Sequence, residues 1–348
     1  MSRLSRRTVL VSAAVGAAAV PTVALAAAHA DPSADPGPDA AAQSADFWAT
    51  PTGTQWTIRR GNQKATLVEL GGGILDWTVN GVPYIDTYPL DSPIKSAGRV
   101  LVPWPNRLGN GLYTWNGTAQ QVPINEVAPR NNAIHGLSRW LPFHPVQHSA
   151  SSITLSALLA PSQGYPFPLE IVTRWSLTGK GLRVDHTVTN LGPVAAPFGL
   201  GAHPYFRIGD ALVNDCVLSL TVTDRLTVDD RLLPTGKVPV AGTPYDFSTP
   251  HAMGAIDLDT AFTGIARGTD GLTHTRLTAP DGHGLEHWQD AKFGWIQLFT
   301  GLGPAGRPRG TLAIEAMTCP PDAFRSGENL ITLAPHDRFT GSWGVNPF

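Results

Sequence analysis

Three short segments of the chain pair uncommon polar side chains with tight turns. The first runs Pro103-Trp104-Pro105-Asn106-Arg107-Leu108-Gly109-Asn110-Gly111 and on to Tyr113. The second is Asn131-Asn132-Ala133-Ile134-His135-Gly136-Leu137, and the third is Gly199-Leu200-Gly201-Ala202-His203-Pro204-Tyr205-Phe206. A fourth feature is Glu315, set in the apolar run Thr311-Leu312-Ala313-Ile314-Glu315-Ala316-Met317. Strand periodicity puts it on one face with Ala313 and Met317, where a carboxylate is costly unless it is paired or working. Carboxylate, imidazole and guanidinium groups of this kind are the equipment of proton transfer and of polar-ligand binding.

Other patterns imitate chemistry without the context it needs. Gly301-Leu302-Gly303-Pro304-Ala305-Gly306 spells a dinucleotide fingerprint, yet Arg307-Pro308-Arg309-Gly310 stands where the phosphate-binding helix would begin. Gly136-Leu137-Ser138-Arg139-Trp140 resembles a nucleophile elbow but lacks the closing glycine. His144/His148 and His283/His287 have zinc spacing for a helix, but Pro145, Gly282 and Gly284 argue against helices there. Cys216 and Cys319 lack Cys-x-x-Cys spacing and read as buried thiols.

The elements that must position these residues read as strands. Of 348 residues, 42% are hydrophobic and 15% charged, and 36 Gly with 31 Pro make nearly a fifth of the chain. Such punctuation suits short strands and tight loops. The formal charge of −2 argues against a general nucleic-acid binder. Ile171–Leu177 and Leu182–Thr189 alternate around Thr178-Gly179-Lys180-Gly181, which predicts a hairpin. Similar runs recur at Ala65–Leu70, Ile153–Leu159, Val217–Val222, Trp295–Thr300 and Thr311–Met317, while no stretch of 12 or more residues shows helical periodicity. The expected fold class is all-β: a large antiparallel β-sandwich with few short helices.

Ahead of this domain, residues 1–30 read as a signal peptide, with Arg6-Arg7 before an Ala-rich apolar run giving the twin-arginine form. Cleavage is expected after Ala30, with Ala26 as the alternative; loss of three arginines would shift the formal charge from −2 to −5. Residues 31–46 read as a disordered linker, and 47–348 as a single catalytic domain, exported to the periplasm or the extracellular space.

Five blocks together resemble the aldose 1-epimerase (galactose mutarotase) family. They are the Pro-x-x-Asn-Arg stretch ending at Gly111, Asn132-to-Gly136, His203-Pro204-Tyr205-Phe206, Asp259 within Leu258-Asp259-Thr260-Ala261-Phe262, and Glu315 followed by Pro320-Pro321-Asp322-Ala323-Phe324. The resemblance implies a mutarotase-like supersandwich and interconversion of the α and β anomers of a free aldohexose of galactose or glucose type. It implies Glu315 as general base and His203 as general acid, with Arg107, His135, Asp259 and Asn106 binding the sugar. At reference pKa values Glu315 would be ionised, and His203 could hold a proton beside an acid. Asp257, two residues from Asp259, competes for its role. No cofactor, metal, nucleic acid or membrane is expected to take part, and a monomer is the default. One departure stands out: Ala316 replaces the family's usual proline after the catalytic Glu. The competing readings are a non-catalytic exported sugar-binding protein and a glycoside hydrolase or lyase on a similar sandwich.

Overall fold

The computed structural model describes residues 51–88 and 96–348; the expected leader, linker and domain start lie outside these residues. Two antiparallel sheets dominate. The nine-stranded sheet contains the predicted hairpin, Leu169–Leu177 with Leu182–Asn190, flanked by Ser152–Leu159 on one side and Arg338–Pro347 on the other. Leu177 pairs Leu182 across the predicted break, where the Thr178 N–H donates to the Gly181 carbonyl at 2.7 Å. Alternation works as expected: Ile153, Leu155, Ile171, Trp175, Val184 and Val188 are all buried inward. Thr173 and His186, polar residues on that face, satisfy each other with Trp343. Trp343 Nε1 donates to His186 Nε2 at 3.0 Å, so His186 Nδ1 carries the proton toward Thr173 Oγ1, also at 3.0 Å.

The eight-stranded sheet positions the site. Its central strands are Asp259–Thr263, Trp295–Phe299 and Leu312–Met317, in that order. One face, with Phe262, Ile296, Leu298, Ile314 and Ala316, packs into the same core as the nine-stranded sheet. The other face carries Asp259, Gln297 and Glu315 in a polar row, with Ala313 and Met317 beside it in separate small apolar clusters. The predicted sharing of a face by Ala313, Glu315 and Met317 therefore holds. Ala316 lies on the core face.

Helix is scarce among the described residues: one four-residue α-helix, Ala323–Ser326, and two 3₁₀ turns, Ser138–Trp140 and Val213–Asp215. The glycine-rich stretch 301–306 is followed by turns and then a strand, not by a helix. His144 and His148 lie on an exposed strand, and Cys216 and Cys319 are free, buried thiols.

Ile314→Ala should cost about 2–5 kcal/mol through loss of contacts and a cavity between the sheets. Leu158→Ala, on an outward and half-exposed position, should cost less than about 0.5 kcal/mol. Urea unfolding midpoints of the two variants check the difference.

Candidate active site

The polar row forms one wall of a cavity of about 490 Å³, a volume suited to a small polar ligand. All six residues predicted from the sequence line it: Asn106, Arg107, His135, His203, Asp259 and Glu315. Two strand starts (Arg107 and Asp259), the interior of a third strand (Glu315) and three loop positions (Asn106, His135 and His203) bring them together.

His203 meets Glu315 through strand register. Gly201 pairs Met317 and Tyr205 pairs Ala313, which brackets His203 opposite Glu315. Regular pairing is interrupted between these points, where Pro204 has no N–H to give. The His203 backbone turns instead to a neighbouring segment, donating to the Arg99 carbonyl at 3.2 Å and accepting from the Gly98 N–H at 2.8 Å. The side chains then meet, His203 Nε2 lying 3.5 Å from Glu315 Oε1. Tyr205 stacks on the imidazole at 4.8 Å, and the His135 ring abuts it at 5.0 Å and 72°. His203 Nδ1 and Glu315 Oε2 have no hydrogen-bond partner among the described residues.

The loops carrying Asn106 and His135 hold each other. Both residues have positive φ, 54° and 63°. Asparagine tolerates that region, whereas histidine at such a φ is strained and needs external support. The support is reciprocal: the His135 N–H donates to the Asn106 carbonyl at 2.8 Å, and the Asn106 N–H donates to His135 Nδ1 at 3.2 Å. An accepting Nδ1 fixes the neutral tautomer with its proton on Nε2. Burial, with the nearby His203, Arg139 and Arg107, keeps the His135 pKa well below its usual value, so its free nitrogen is a neutral donor. The Pro320–Phe324 block braces the first loop. Asp322 Oδ1 accepts from the Gly109 N–H at 2.9 Å, and Phe324 packs edge-on against Trp104 and Tyr113.

Arg107 is clamped between two carboxylates. Its Nε and Nη2 donate to Glu126 at 3.1–3.2 Å, and Nη2 lies 3.5 Å from Asp259 Oδ2. Gln297 Nε2 donates to Asp259 Oδ1 at 2.6 Å. Of the two competing aspartates, Asp259 lines the cavity, whereas Asp257 is exposed and pairs with Arg309. Glu126, Gln297, Tyr205 and Arg139 belong to the arrangement but were not singled out from the sequence. Gln297 carries the signal that exposed Glu315, a polar residue on one face of an apolar strand. Glu126 sits in a loop with no such contrast.

The electrostatics depart from the expected ionised Glu and protonated His. Glu315 is only 2% exposed, and burial reinforced by the Asp259 charge pushes its pKa well above the usual carboxylate range, against the pull of Arg107. Burial, with Arg139 and Arg107 nearby, pushes His203 down to about 3. Both shifts favour the neutral forms, Glu315 as the acid and His203 as the free imidazole. The physical reason is desolvation, which a sequence does not display. Either placement of that proton leaves one donor and one acceptor side by side. Such a pair can serve two oxygens bonded to the same carbon.

The sequence profile of the aldose 1-epimerase family matches residues 54–344. The uncharacterized protein YihR of Escherichia coli K12 is 33% identical over 298 residues, covering 84% of this chain and 94% of that protein. Galactose mutarotase of Homo sapiens is 29% identical over 168 residues, 45% of this chain and 46% of that protein. Among solved structures, a GalM/aldose epimerase homologue from C. elegans matches with a TM-score of 0.75 at 18% identity, covering 85% of this chain and 99% of that one.

Gly136 follows His135 at φ 64°, and a Cβ there would lie 2.3 Å from the Val102 carbonyl. Gly136→Ala should therefore shift the His135 loop and destabilise the fold by about 1–3 kcal/mol. Thermal melting with and without added sugar checks both effects; the variant should also lose most of any sugar-induced stabilisation.

Proposed function

The chain belongs to the aldose 1-epimerase family, and from that premise we propose that it interconverts the α and β anomers of a free aldose by acid/base ring opening. One observation carries the reading: a buried carboxylate and imidazole in contact at 3.5 Å on the wall of a monosaccharide-sized cavity. Glu315 takes the proton of the C1 hydroxyl while His203 gives one to the ring oxygen. The aldehyde so formed turns about C1–C2, and closure on the other face reverses both transfers. For this direction the shared proton must pass from Glu315 to His203 as the sugar binds. The contact between them provides the path, and hydrogen bonds from the sugar's hydroxyls favour the charge-separated arrangement. His135 directs its Nε2–H toward the ring-oxygen side. Arg107, Asp259 and Asn106 hold the remaining hydroxyls, with Arg107 oriented by Glu126.

The hydrolase reading has less support. Both Asp259 oxygens are engaged, one by Gln297 and one by Arg107, and a pair of carboxylates acting across a bond would leave His203 idle. The leader is proposed to direct export by the twin-arginine route. Changing Arg6 and Arg7 to Lys should trap the protein inside the cell, as fractionation would reveal.

Polarimetry of freshly dissolved α-D-glucose or α-D-galactose tests the activity. Rotation should relax faster than in buffer, and Glu315→Gln and His203→Asn should each slow turnover by roughly 10² or more. Relaxation at the buffer rate with wild-type protein would refute the reading. The pH profile tests the proton count. Activity needs one proton on the pair, and it falls in acid when a second proton is added. That second proton goes to His203, whose pKa is held near 3. So kcat/KM should hold down to about that pH, with no loss centred at the ordinary histidine value of about 6.5. On the alkaline side it should fall as Glu315 loses its raised-pKa proton.

A further inference from the structure

The cavity is braced by a side chain that does not line it. Strands Asp224–Val228 and Pro234–Pro239 form a hairpin at the edge of the eight-stranded sheet, beside the strand that begins at Asp259. The hairpin tip is tightly held. Asp229 Oδ1 accepts from the Arg231 and Leu233 N–H groups at 2.9 Å each, and Leu232 between them has a φ of 59°. A left-handed leucine is strained and persists only where its surroundings impose it.

From this tip the Arg231 side chain crosses to the loops of the cavity. Its Nε donates to the Arg130 carbonyl at 2.7 Å. Its Nη2 donates to Asn110 Oδ1 at 2.8 Å, and to the Asn131 carbonyl and Asn132 Oδ1 at 3.2 Å each. All four acceptors are neutral, and they flank one short ladder. Asn110 follows the strand Arg107–Gly109, and Arg130 to Asn132 lead into the strand Asn132–Ile134 that pairs with it.

Asn132 is the link inward. It is fully buried and opens the block that ends at Gly136. With Oδ1 taken by the guanidinium, its Nδ2 donates to the Arg231 carbonyl at 2.9 Å and to Glu126 Oε2 at 2.8 Å. The amide therefore has one orientation: turned over, it would set its nitrogen against a cation and its oxygen against a carboxylate. Glu126 in turn accepts from Arg107 Nε and Nη2. A continuous chain of hydrogen bonds thus runs from Arg231 through Asn132 and Glu126 to Arg107.

We propose that Arg231 is a positioning residue for sugar binding, acting through Asn132 and Glu126 on the Arg107 guanidinium. The inference rests on the reading that sets Arg107 against hydroxyls of the sugar. Hydroxyls away from C1 and the ring oxygen keep their bonds during ring opening, so their contacts are as strong in the ground state as in the transition state. Loosening Arg107 then weakens binding without slowing proton transfer at Glu315 and His203.

Polarimetric kinetics with D-glucose and D-galactose would compare wild type with Arg231→Ala and Arg231→Lys. Arg231→Ala should raise KM by roughly tenfold and leave kcat within about twofold. Arg231→Lys, which keeps one strong donor, should raise KM less. In a Glu126→Gln background the chain is already cut, so adding Arg231→Ala should change KM by less than about twofold. A wild-type KM in Arg231→Ala overturns the proposal. So does a rise that persists in full beside Glu126→Gln, or a loss confined to kcat. If Arg231→Ala does not fold, Arg231→Lys decides: a raised KM upholds the proposal and a wild-type KM overturns it. If wild-type protein turns over neither sugar, the acid/base reading fails, and calorimetry with both sugars decides the brace. Weaker binding by the Arg231 variant than by wild type upholds it; equal binding, or none by wild type, rejects it.

Discussion

The site depends on the register of one strand. Leu312–Met317 presents Ile314 and Ala316 to the intersheet core and Glu315 to the cavity. A slip of one residue would exchange the faces, placing a carboxylate among Ile296, Leu298 and Phe262. The core thus enforces the position of the carboxylate, because the cost of burying it unpaired between the sheets exceeds any local preference. The same register fixes the partner: with Gly201 opposite Met317 and Tyr205 opposite Ala313, His203 has nowhere to be except across from Glu315. The proline that follows ends regular pairing there, and the backbone of His203 finds its hydrogen bonds on the Gly98–Arg99 segment.

Around this pair, charge is arranged so that few polar groups lack an answer. Glu126, Arg107, Asp259 and Gln297 form a chain of contacts along the cavity wall. Each member restricts the next, so the Arg107 guanidinium and the Asp259 carboxylate are held before any ligand arrives. Such pre-organisation lowers the ordering cost of binding a small polar molecule. Glu315 Oε2 and His203 Nδ1, on residues lining the cavity, are among the buried atoms without a partner; others, such as His287 Nδ1 and Nε2 and Trp77 Nε1, lie elsewhere.

Much of this was legible in the residues. Alternation located the hairpin and the strand of Glu315, and turn-rich segments located His135, His203 and Arg107. The resemblance joined them into one site. What escaped notice did so for physical reasons. Asp257 and Asp259 stand two residues apart in the sequence, but the strand begins at Asp259, which Gln297 and Arg107 hold, while Asp257 lies before it and is exposed. Glu126 lies in a loop where a carboxylate costs nothing by default, so its type gave no warning. Arg139 sits in a segment whose serine imitates a nucleophile motif, a pattern that carries no signal for the arginine. Reference pKa values describe groups in water, and burial of Glu315 and His203 pushes the first up and the second down, a shift that residue type alone does not display.

Deep burial of an acid/base pair is a handicap when a reaction takes up or releases protons, since each must cross the protein. The proposed reaction does neither. The proton removed from the C1 hydroxyl is matched by the one given to the ring oxygen, and closure on the opposite face reverses both transfers. The Glu315–His203 pair therefore ends each turnover with the single proton it began with. A pair shifted toward neutrality then loses nothing, because it need not equilibrate with solvent between turnovers. Desolvation also strengthens every hydrogen bond the sugar makes while the proton is in transit. The raised carboxylate and the lowered imidazole, which would impair a hydrolytic pair working with bulk water, suit a pair that only passes one proton back and forth.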